Sequence, residues 1–373
     1  MPRSNNLKAL PLPGRNYHCV QALRAVAACL VVLLHCFTMW IAWIVRRPDA
    51  AVWPNGAAGV DIFFAISGFV MAVSIPGLRG SPVEKAKGFL WRRFVRIIPL
   101  YWGITTLKIA ILKIWPDVVM NPLGGGWRIA ASYLFIPVVN AKGEISPVLG
   151  AGWTLNYEIL FYILIGLALV LDIAPVVFVT PVLIILACVA WLPHGHWPDF
   201  TLLASPLLIE FLYGLFFGCL VVRGKFSGRR WGPPLFVASF VALMLIPKPS
   251  ADWRFLLWGL PAACLLAGAV ASEERWGARL PKWLLEAGDA SYALYLCQSL
   301  SMSALDHLMW KLHLPPNPAL IMEIIVAFAV NIPIALFVHR HFEKPIIAFF
   351  KTRRIAQRAP LAAEPSLSSE AAT

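Results

Sequence analysis

Charged residues are scarce in this sequence. Asp, Glu, Lys and Arg make up 14% of its 373 residues, whereas 59% are hydrophobic. The mean hydropathy of +0.72 excludes an ordinary soluble domain and indicates a polytopic membrane protein. The seven cysteines lie in or beside hydrophobic runs without metal-ligand spacing, so they predict neither a disulfide framework nor a metal site. Walker-type and dinucleotide-binding glycine motifs are also missing.

Ten hydrophobic runs, bounded by charged residues, Pro or Gly, predict an all-α membrane bundle of about ten transmembrane helices. The runs cover residues 21–45, 58–76, 97–115, 152–171, 174–192, 201–222, 233–247, 253–271, 288–310 and 318–339. We expect a cytoplasmic segment 1–20, a membrane domain 21–345 and a disordered cytoplasmic tail 346–373. The run 129–139 is too short to span and is predicted to be re-entrant or interfacial.

Acidic residues are fewer than basic ones, 19 against 32, and the basic residues are unevenly distributed. With the N-terminus inside, the inner segments hold 22 Lys and Arg residues and the outer loops hold seven, counting Arg254 at the outer edge of the run 253–271. This asymmetry predicts an N-in, C-in protein, with both termini in the cytoplasm. Topology and contact with anionic membrane lipid account for most of the +13 net charge, so no nucleic acid is needed to explain it.

The first hydrophobic run carries two ionisable residues, Arg24 and His35, with ten residues between them. Eleven steps along a helix make three turns plus about 20°, so both side chains project from one face, roughly 16 Å apart along the axis. Ionisable groups inside a membrane usually face the bundle interior or a water-filled cavity, which favours a functional site. The alternative is that Arg24 snorkels to an interface and His35 is a satisfied core residue.

The second run places Asp61 near its outer end and the pair Ser67-Gly68 at mid-depth. A small pair of this kind usually permits close helix packing. Asp61 is flanked by apolar residues, so we expect its carboxylate to turn into the bundle.

Three arginines precede the third run, namely Arg92, Arg93 and Arg96. One helical turn would present them as a compact guanidinium cluster, and guanidinium groups match phosphate oxygens in a bidentate manner. The alternative is that they anchor the helix at the inner membrane surface.

Glu158 lies about one and a half turns below the outer edge of the fourth run. We expect Glu158 and Asp61 to lie at a height similar to that of His35, in the middle to outer half of the bundle. An imidazole with a carboxylate as its orienting partner can act as a general base.

Seven segments follow one another between residues 20 and 345, in the order LRAVAACLVVLLH, GVDIFFAISGF, RRFVRIIPLYW, WTLNYEILFY, LLIEFLYGLFFG, GDASYALYLCQSL and HRHFEKP. Together they resemble the acyltransferase 3 family of integral membrane acyltransferases, and particularly its exopolysaccharide O-acetyltransferase branch. The resemblance implies about ten membrane helices and transfer of an acyl group to a hydroxyl of a surface saccharide. The donor is often acetyl-CoA, and some members acylate an antibiotic or a lipid.

The resemblance also implies roles for single residues. The family's essential histidine falls on His35 and its paired arginine on Arg24. Its arginine-rich donor-site motif falls on Arg92, Arg93 and Arg96, and its span-four acid falls on Glu158. Two further signature positions fall on Asp61 and Ser67. Many members carry a histidine after SYALYL where this chain has Gln298. That difference bears on the acceptor if the histidine binds it, and on the mechanism if the histidine is catalytic.

We therefore expect a multi-pass protein of the cytoplasmic (inner) membrane that acylates a surface or exported saccharide. By resemblance, its partners would be an acyl-CoA such as acetyl-CoA, the saccharide acceptor and membrane lipid, without a metal. Two alternatives stay open. One is a proton-coupled secondary transporter whose histidine and carboxylates form a relay, and the other is a non-catalytic component of a polysaccharide export system. The sequence leaves the acceptor, the acyl group and the oligomeric state open.

Overall fold

The computed structural model describes residues 17–41, 45, 53–115, 125–140, 144–192, 198–226, 230–311 and 315–356. Within these ranges the chain forms thirteen α-helices and no β-strand beyond an isolated bridge between Val139 and Ile145. The helices are α1 His18–Trp40, α2 Ala58–Ser74, α3 Pro82–Ile114, α4 Gly126–Leu134, α5 Gly152–Val170, α6 Pro175–Val189, α7 Leu208–Val222, α8 Gly232–Leu245, α9 Leu260–Trp276, α10 Lys282–Asp289, α11 Ser291–Lys311, α12 Pro316–Val338 and α13 Lys344–Ala356.

Six helical segments are long and apolar enough to cross a membrane, judged by length and composition over the described residues. They are His18–Trp40, Asn55–Gly77, Pro82–Ile114, Gly152–Val170, Phe255–Arg279 and Pro316–Lys351. Helices α6, α7 and α8 are apolar but shorter. The predicted all-α membrane class is confirmed, and each predicted run overlaps a helix. The count of ten crossings and the orientation of the termini stay predictions.

Helix α3 begins much earlier than the predicted third span, at Pro82 instead of residue 97. Its start is a capping box, in which the backbone N–H of Glu84 donates to the Ser81 hydroxyl and the backbone N–H of Ser81 donates to the Glu84 carboxylate. Pro82 at the first helical position is compatible with this N-terminus, because the N–H group that proline lacks has no partner inside the helix there. The arginine cluster therefore lies inside one continuous helix of 33 residues.

Two further boundaries differ from the sequence-based expectation. The run 129–139 divides into the end of α4 and a non-helical segment, because Phe135 adopts a left-handed conformation (φ 55°) that ends the helix. The predicted tail 346–373 begins inside α13, which continues to Ala356. The rest of that tail lies outside the described residues.

Glycines allow the backbones of α2 and α7 to touch. A Cβ atom built on Gly214 would lie 1.9 Å from the Ala65 carbonyl oxygen, and one on Gly68 would lie 2.1 Å from that of Phe211. Small residues are the usual means of close helix approach in membranes. The expected packing role of Gly68 is thus confirmed.

Glycines also set the register of α2 against α1. A Cβ atom on Gly59 would lie 2.4 Å from the Ala27 carbonyl oxygen, and one on Gly56 would lie 2.4 Å from that of Leu30. The two helices are therefore antiparallel. Residues after Gly59 in α2 descend towards the part of α1 that carries Arg24.

The first turn of α1 is held by α9. The backbone N–H groups of His18 and Cys19 donate to the two carboxylate oxygens of Glu273, at 2.9 and 2.7 Å. A carboxylate at a helix N-terminus satisfies otherwise unpaired N–H groups and complements the helix dipole. This contact fixes the end of α1 that lies one to two turns from Arg24.

Candidate active site

A cavity of about 160 Å³ lies between helices α1, α2, α3, α5 and α11. Its charged lining residues are three arginines and one glutamate, Arg24, Arg93, Arg96 and Glu158. Hydroxyl groups from α2, α5 and α11 complete its polar wall, namely those of Ser67, Thr154, Tyr162, Ser291, Tyr292 and Tyr295. The remaining wall is apolar. The excess of positive charge in an apolar surrounding suits an anionic ligand.

The two α3 arginines carry hydrogen-bond donors that the rest of the described chain leaves unsatisfied. Arg93 donates from Nη2 to the Ser74 hydroxyl at 3.0 Å and lies 5.7 Å above the Phe89 ring. Arg93 Nε and Arg96 Nη2 are buried and find no acceptor among the described residues. A buried donor without an acceptor is costly, and guanidinium donors match carboxylate and phosphate oxygens. These two donors are therefore available to the oxygens of a ligand.

Arg92 does not join this cluster. Its side chain is exposed, and it is not among the cavity-lining residues. On the helix Arg96 lies between the other two, about 40° from Arg92 and about 60° from Arg93, and Arg92 and Arg93 are about 100° apart. The cavity lies on the Arg93 side of Arg96. The structure thus does not bring Arg92 into the cavity with the other two, and the third guanidinium group there belongs to Arg24 of α1.

Glu158 lies among the arginines. Its Oε1 atom accepts from the Ser67 hydroxyl at 3.1 Å and from the Tyr162 hydroxyl in a very short hydrogen bond. It is also close enough to interact electrostatically with Arg24 and Arg93. The expected height beside His35 is wrong, because α2 descends from Gly59 towards the Arg24 end of α1 and brings Ser67 and Glu158 with it.

Asp61 turns into the bundle, as predicted, but it binds an arginine instead of a histidine. Its two carboxylate oxygens accept from Arg254 Nε at 3.0 Å and Arg254 Nη2 at 2.8 Å, and its side chain is fully buried. Glu210, also fully buried, lies beside it. This pairing joins α2 to the π-helical turn Phe255–Gly259 that precedes α9. Asp61 does not line the cavity.

His35 lies farther along α1 and does not line the cavity. Eleven residues separate it from Arg24, which corresponds to about 16 Å of helix. Its ring is half-buried, and Nδ1 lies 2.8 Å from the Val31 carbonyl oxygen. Because Nδ1 donates to that carbonyl in the neutral ring, Nε2 is the nitrogen that can accept a proton. The hydrogen bond to the main chain sets this tautomer, and neither Asp61 nor Glu158 takes part.

Gln298 is buried one turn beyond Tyr295, a residue that lines the cavity. Its Nε2 atom lies 3.4 Å from the Tyr295 carbonyl oxygen, and its Oε1 atom has no hydrogen-bond partner in the described part of the chain. It does not itself line the cavity.

Several lining residues were not identified from the sequence. Tyr162 follows Glu158 by four residues, a spacing that places two side chains on one helix face and would have revealed the pair. Ser291, Tyr292 and Tyr295 belong to the SYALYL segment, for which the family resemblance gave a signature but no role for these three residues. Arg254 was assigned to an outer loop, and its partner Asp61 lies 193 residues earlier.

Comparisons with known proteins give one family and a relative. The model of the acyltransferase 3 family, described as an acyltransferase domain, matches residues 17–340, a range that includes every cavity-lining residue and His35. The exopolysaccharide production protein ExoZ of Rhizobium meliloti (strain 1021) is 33% identical over 258 residues, which cover 66% of this chain and 77% of that protein. No solved structure gives a significant match.

Proposed function

We propose, from the premise that this chain belongs to the acyltransferase 3 family and is a membrane acyltransferase, that it transfers an acyl group from an acyl-CoA to a saccharide hydroxyl. We take acetyl-CoA as the donor. The relative's printed name refers to exopolysaccharide production, so we take an exported saccharide as the acceptor. The observation that carries the proposal is the net positive charge of the cavity lining, three arginines against one glutamate. Two of these arginines also keep a buried donor, Arg93 Nε and Arg96 Nη2, without an acceptor among the described residues.

The arginine cavity would hold the phosphates of the donor. Each guanidinium group offers parallel N–H donors to phosphate oxygens, and Arg24 would complete the positive wall from α1. The apolar wall, which includes Phe63, Phe64 and Met71, suits a pantetheine arm. In this proposal Glu158 offsets part of the arginine charge, and Ser67 holds Glu158 in place.

The orientation follows from the same proposal. With the N-terminus in the cytoplasm, α1 carries Arg24 in its inner half and His35 in its outer half. The inner half then faces the compartment in which acyl-CoA is made. The acceptor would approach His35 from the other side, and the protein would lie in the cytoplasmic membrane.

His35 would act as the general base. Its Nε2 atom removes the proton of the acceptor hydroxyl, and the hydroxyl oxygen attacks the thioester carbonyl carbon. The carbon–sulfur bond breaks, and the CoA thiolate leaves and takes up a proton. Such a base typically contributes about 10² to 10⁴ in rate. The thioester has to travel the ~16 Å between Arg24 and His35, which a flexible pantetheine arm can span because its phosphates stay at the arginines.

A direct test uses the purified protein in lipid nanodiscs with acetyl-CoA and exopolysaccharide from the producing strain. We expect release of free CoA thiol that depends on the acceptor, together with an increase in acceptor mass by whole acetyl groups. Solute flux driven by a proton gradient without thioester consumption would instead identify a transporter. The absence of both activities would leave a non-catalytic export component.

A further inference from the structure

The first turn of α11 forms part of the wall of the arginine cavity. Ser291 and Tyr292 line that cavity together with Arg24 and Arg96. The residue before this turn is Ala290, whose side chain has no oxygen that could accept from the unpaired N–H groups of a helix start. A helix N-terminus also carries a partial positive charge, so it adds to the positive wall that the arginines form.

Two contacts hold this turn beside the arginines. A Cβ atom built on Gly288, near the end of α10, would lie 2.0 Å from the carbonyl oxygen of Gln21, which precedes Arg24 by three residues on α1. The Tyr292 hydroxyl donates to the carbonyl oxygen of Ile97, in the arginine-bearing part of α3, at 2.8 Å. The start of α11 is therefore fixed against both helices that carry the arginines of the cavity.

Ser291 supplies a second observation that points to a ligand. Its side chain is fully buried, and its hydroxyl has no hydrogen-bond partner among the described residues. A buried hydroxyl without a partner is costly, and a serine in a helix can usually bond to the carbonyl oxygen one turn earlier. Arg96 keeps an unsatisfied buried donor as well, its Nη2 atom. The two residues that carry these unpaired groups line one cavity with a helix N-terminus.

We propose that the Ser291 hydroxyl and the first N–H groups of α11 bind a phosphate group of the acyl donor, next to Arg24 and Arg96. This inference rests on the proposed function and names the part of the donor that the cavity takes, the 5′-diphosphate of CoA. Helix N-termini bind phosphate because their N–H groups and their dipole both favour negative charge. The pantetheine arm starts at the diphosphate, whereas the 3′-phosphate lies on the ribose at its other end. With the diphosphate in the cavity, the arm leads from there towards His35.

The test compares three ligands by isothermal titration of the purified protein in nanodiscs of zwitterionic lipid. They are CoA, 3′-dephospho-CoA, which keeps the diphosphate, and inorganic diphosphate. Ser291→Ala should weaken the binding of all three by a similar factor, about 10- to 100-fold, which is the range that hydrogen bonds to charged groups cover. Adding phosphatidylglycerol to the nanodiscs should not change the affinity of the wild type for CoA. Competition by this lipid would assign the site to a lipid headgroup and overturn the inference.

Ser299→Ala is the matched control on the same helix. The Ser299 hydroxyl donates to the Leu296 carbonyl oxygen at 2.9 Å, and the residue does not line the cavity, so its loss should leave all three affinities unchanged. Ser291→Ala should unfold without ligand at the same or a higher temperature than the wild type, since it removes an unsatisfied hydroxyl. A lower unfolding temperature would show that Ser291 holds the fold, which would overturn the inference.

The choice between the phosphates of CoA has its own outcome. The inference is overturned if Ser291→Ala weakens the binding of CoA but not of 3′-dephospho-CoA, because the site would then hold the 3′-phosphate. It is also overturned if the wild type binds CoA and Ser291→Ala binds it equally well. Failure of the proposed function shows differently, as a wild-type protein that binds neither CoA nor 3′-dephospho-CoA.

Discussion

Two buried clusters of charge in this bundle differ in how their arginines are paired. Around Asp61, both carboxylate oxygens accept from one arginine, Arg254, and the pair joins two distant parts of the chain, although the neighbouring Glu210 keeps two buried oxygens without a donor among the described residues. In the cavity, Arg93 and Arg96 retain buried donors that no described residue satisfies. These arginines also line a space that a ligand can occupy, whereas the Asp61–Arg254 pair holds two parts of the fold together. Sequence alone does not distinguish them, since both clusters are ionisable residues in hydrophobic runs.

The largest effect on stability is expected at the paired cluster. Asp61→Asn removes the carboxylate that binds Arg254 through two hydrogen bonds and leaves Glu210 as the carboxylate near it. Breaking a buried ion pair from one side destabilises a protein by about 3–5 kcal/mol, and Glu210 should place the loss at the lower end of that range. The midpoint of thermal unfolding in detergent should fall accordingly. In the double variant Asp61→Asn with Arg254→Met, much of the loss should be recovered. An unchanged unfolding midpoint in the single variant would contradict the structural role of this pair.

The second prediction concerns the incompletely paired cluster. Arg96→Ala removes a buried unsatisfied donor, so the ligand-free protein should unfold at the same or a higher temperature. Its affinity for CoA should fall by about 10- to 100-fold, since hydrogen bonds to charged groups contribute about 1.5–3 kcal/mol. Isothermal titration of CoA provides the measurement. Arg92→Ala, an exposed neighbour on the same helix, is the control and should bind CoA normally.

A smaller effect is expected where Glu158 is held. Ser67→Ala removes one of two hydroxyl donors to the same carboxylate oxygen, and Tyr162→Phe removes the other. Each single change should lower the free energy of unfolding by about 1 kcal/mol. The double variant should lose more than the sum of the two, because the carboxylate then has neither donor. Additive losses in a double-mutant cycle would show that the two hydroxyls contribute independently of each other, which would contradict this coupling.

The smallest effect is expected at an exposed ion pair. Arg340 donates from Nε and Nη2 to the Glu286 carboxylate, and this hydrogen bonding holds the pKa of Glu286 below its usual range. The stabilising contribution is present above the carboxyl pKa of the unfolded chain and is lost as the pH falls through the lowered folded-state pKa. Glu286→Gln should therefore differ little from the wild type, and least in acid. A large loss of stability at neutral pH would show that this pair is not an ordinary surface contact.

Helical periodicity predicted a good part of the site. The shared face of Arg24 and His35 and the proximity of Arg93 to Arg96 both follow from 3.6 residues per turn. The same rule places Arg92 and Arg93 on opposite sides of Arg96, so it does not tell which of the two faces the cavity. The membrane class followed from composition, and the all-α bundle followed from the hydrophobic runs.

Relative depth between helices could not be predicted in the same way. The height of Glu158 was inferred from its distance to the end of its own hydrophobic run, yet the glycine contacts between α1 and α2 set the actual register. The contact between Asp61 and Arg254 could not be predicted for a related reason. Arg254 is remote in the chain and adjoins a π-helical turn that no periodic pattern marks.

The central claim is that donor binding and proton removal occur at two places on α1, the level of Arg24 and the level of His35. The most direct measurement is CoA binding and turnover in His35→Ala beside Arg96→Ala. The account predicts that His35→Ala binds CoA as the wild type does and loses about 10² to 10⁴ in turnover. It predicts that Arg96→Ala binds CoA weakly and keeps most of its turnover at saturating donor. If His35→Ala abolished CoA binding while Arg96→Ala bound normally, the assignment of the two levels would be contradicted.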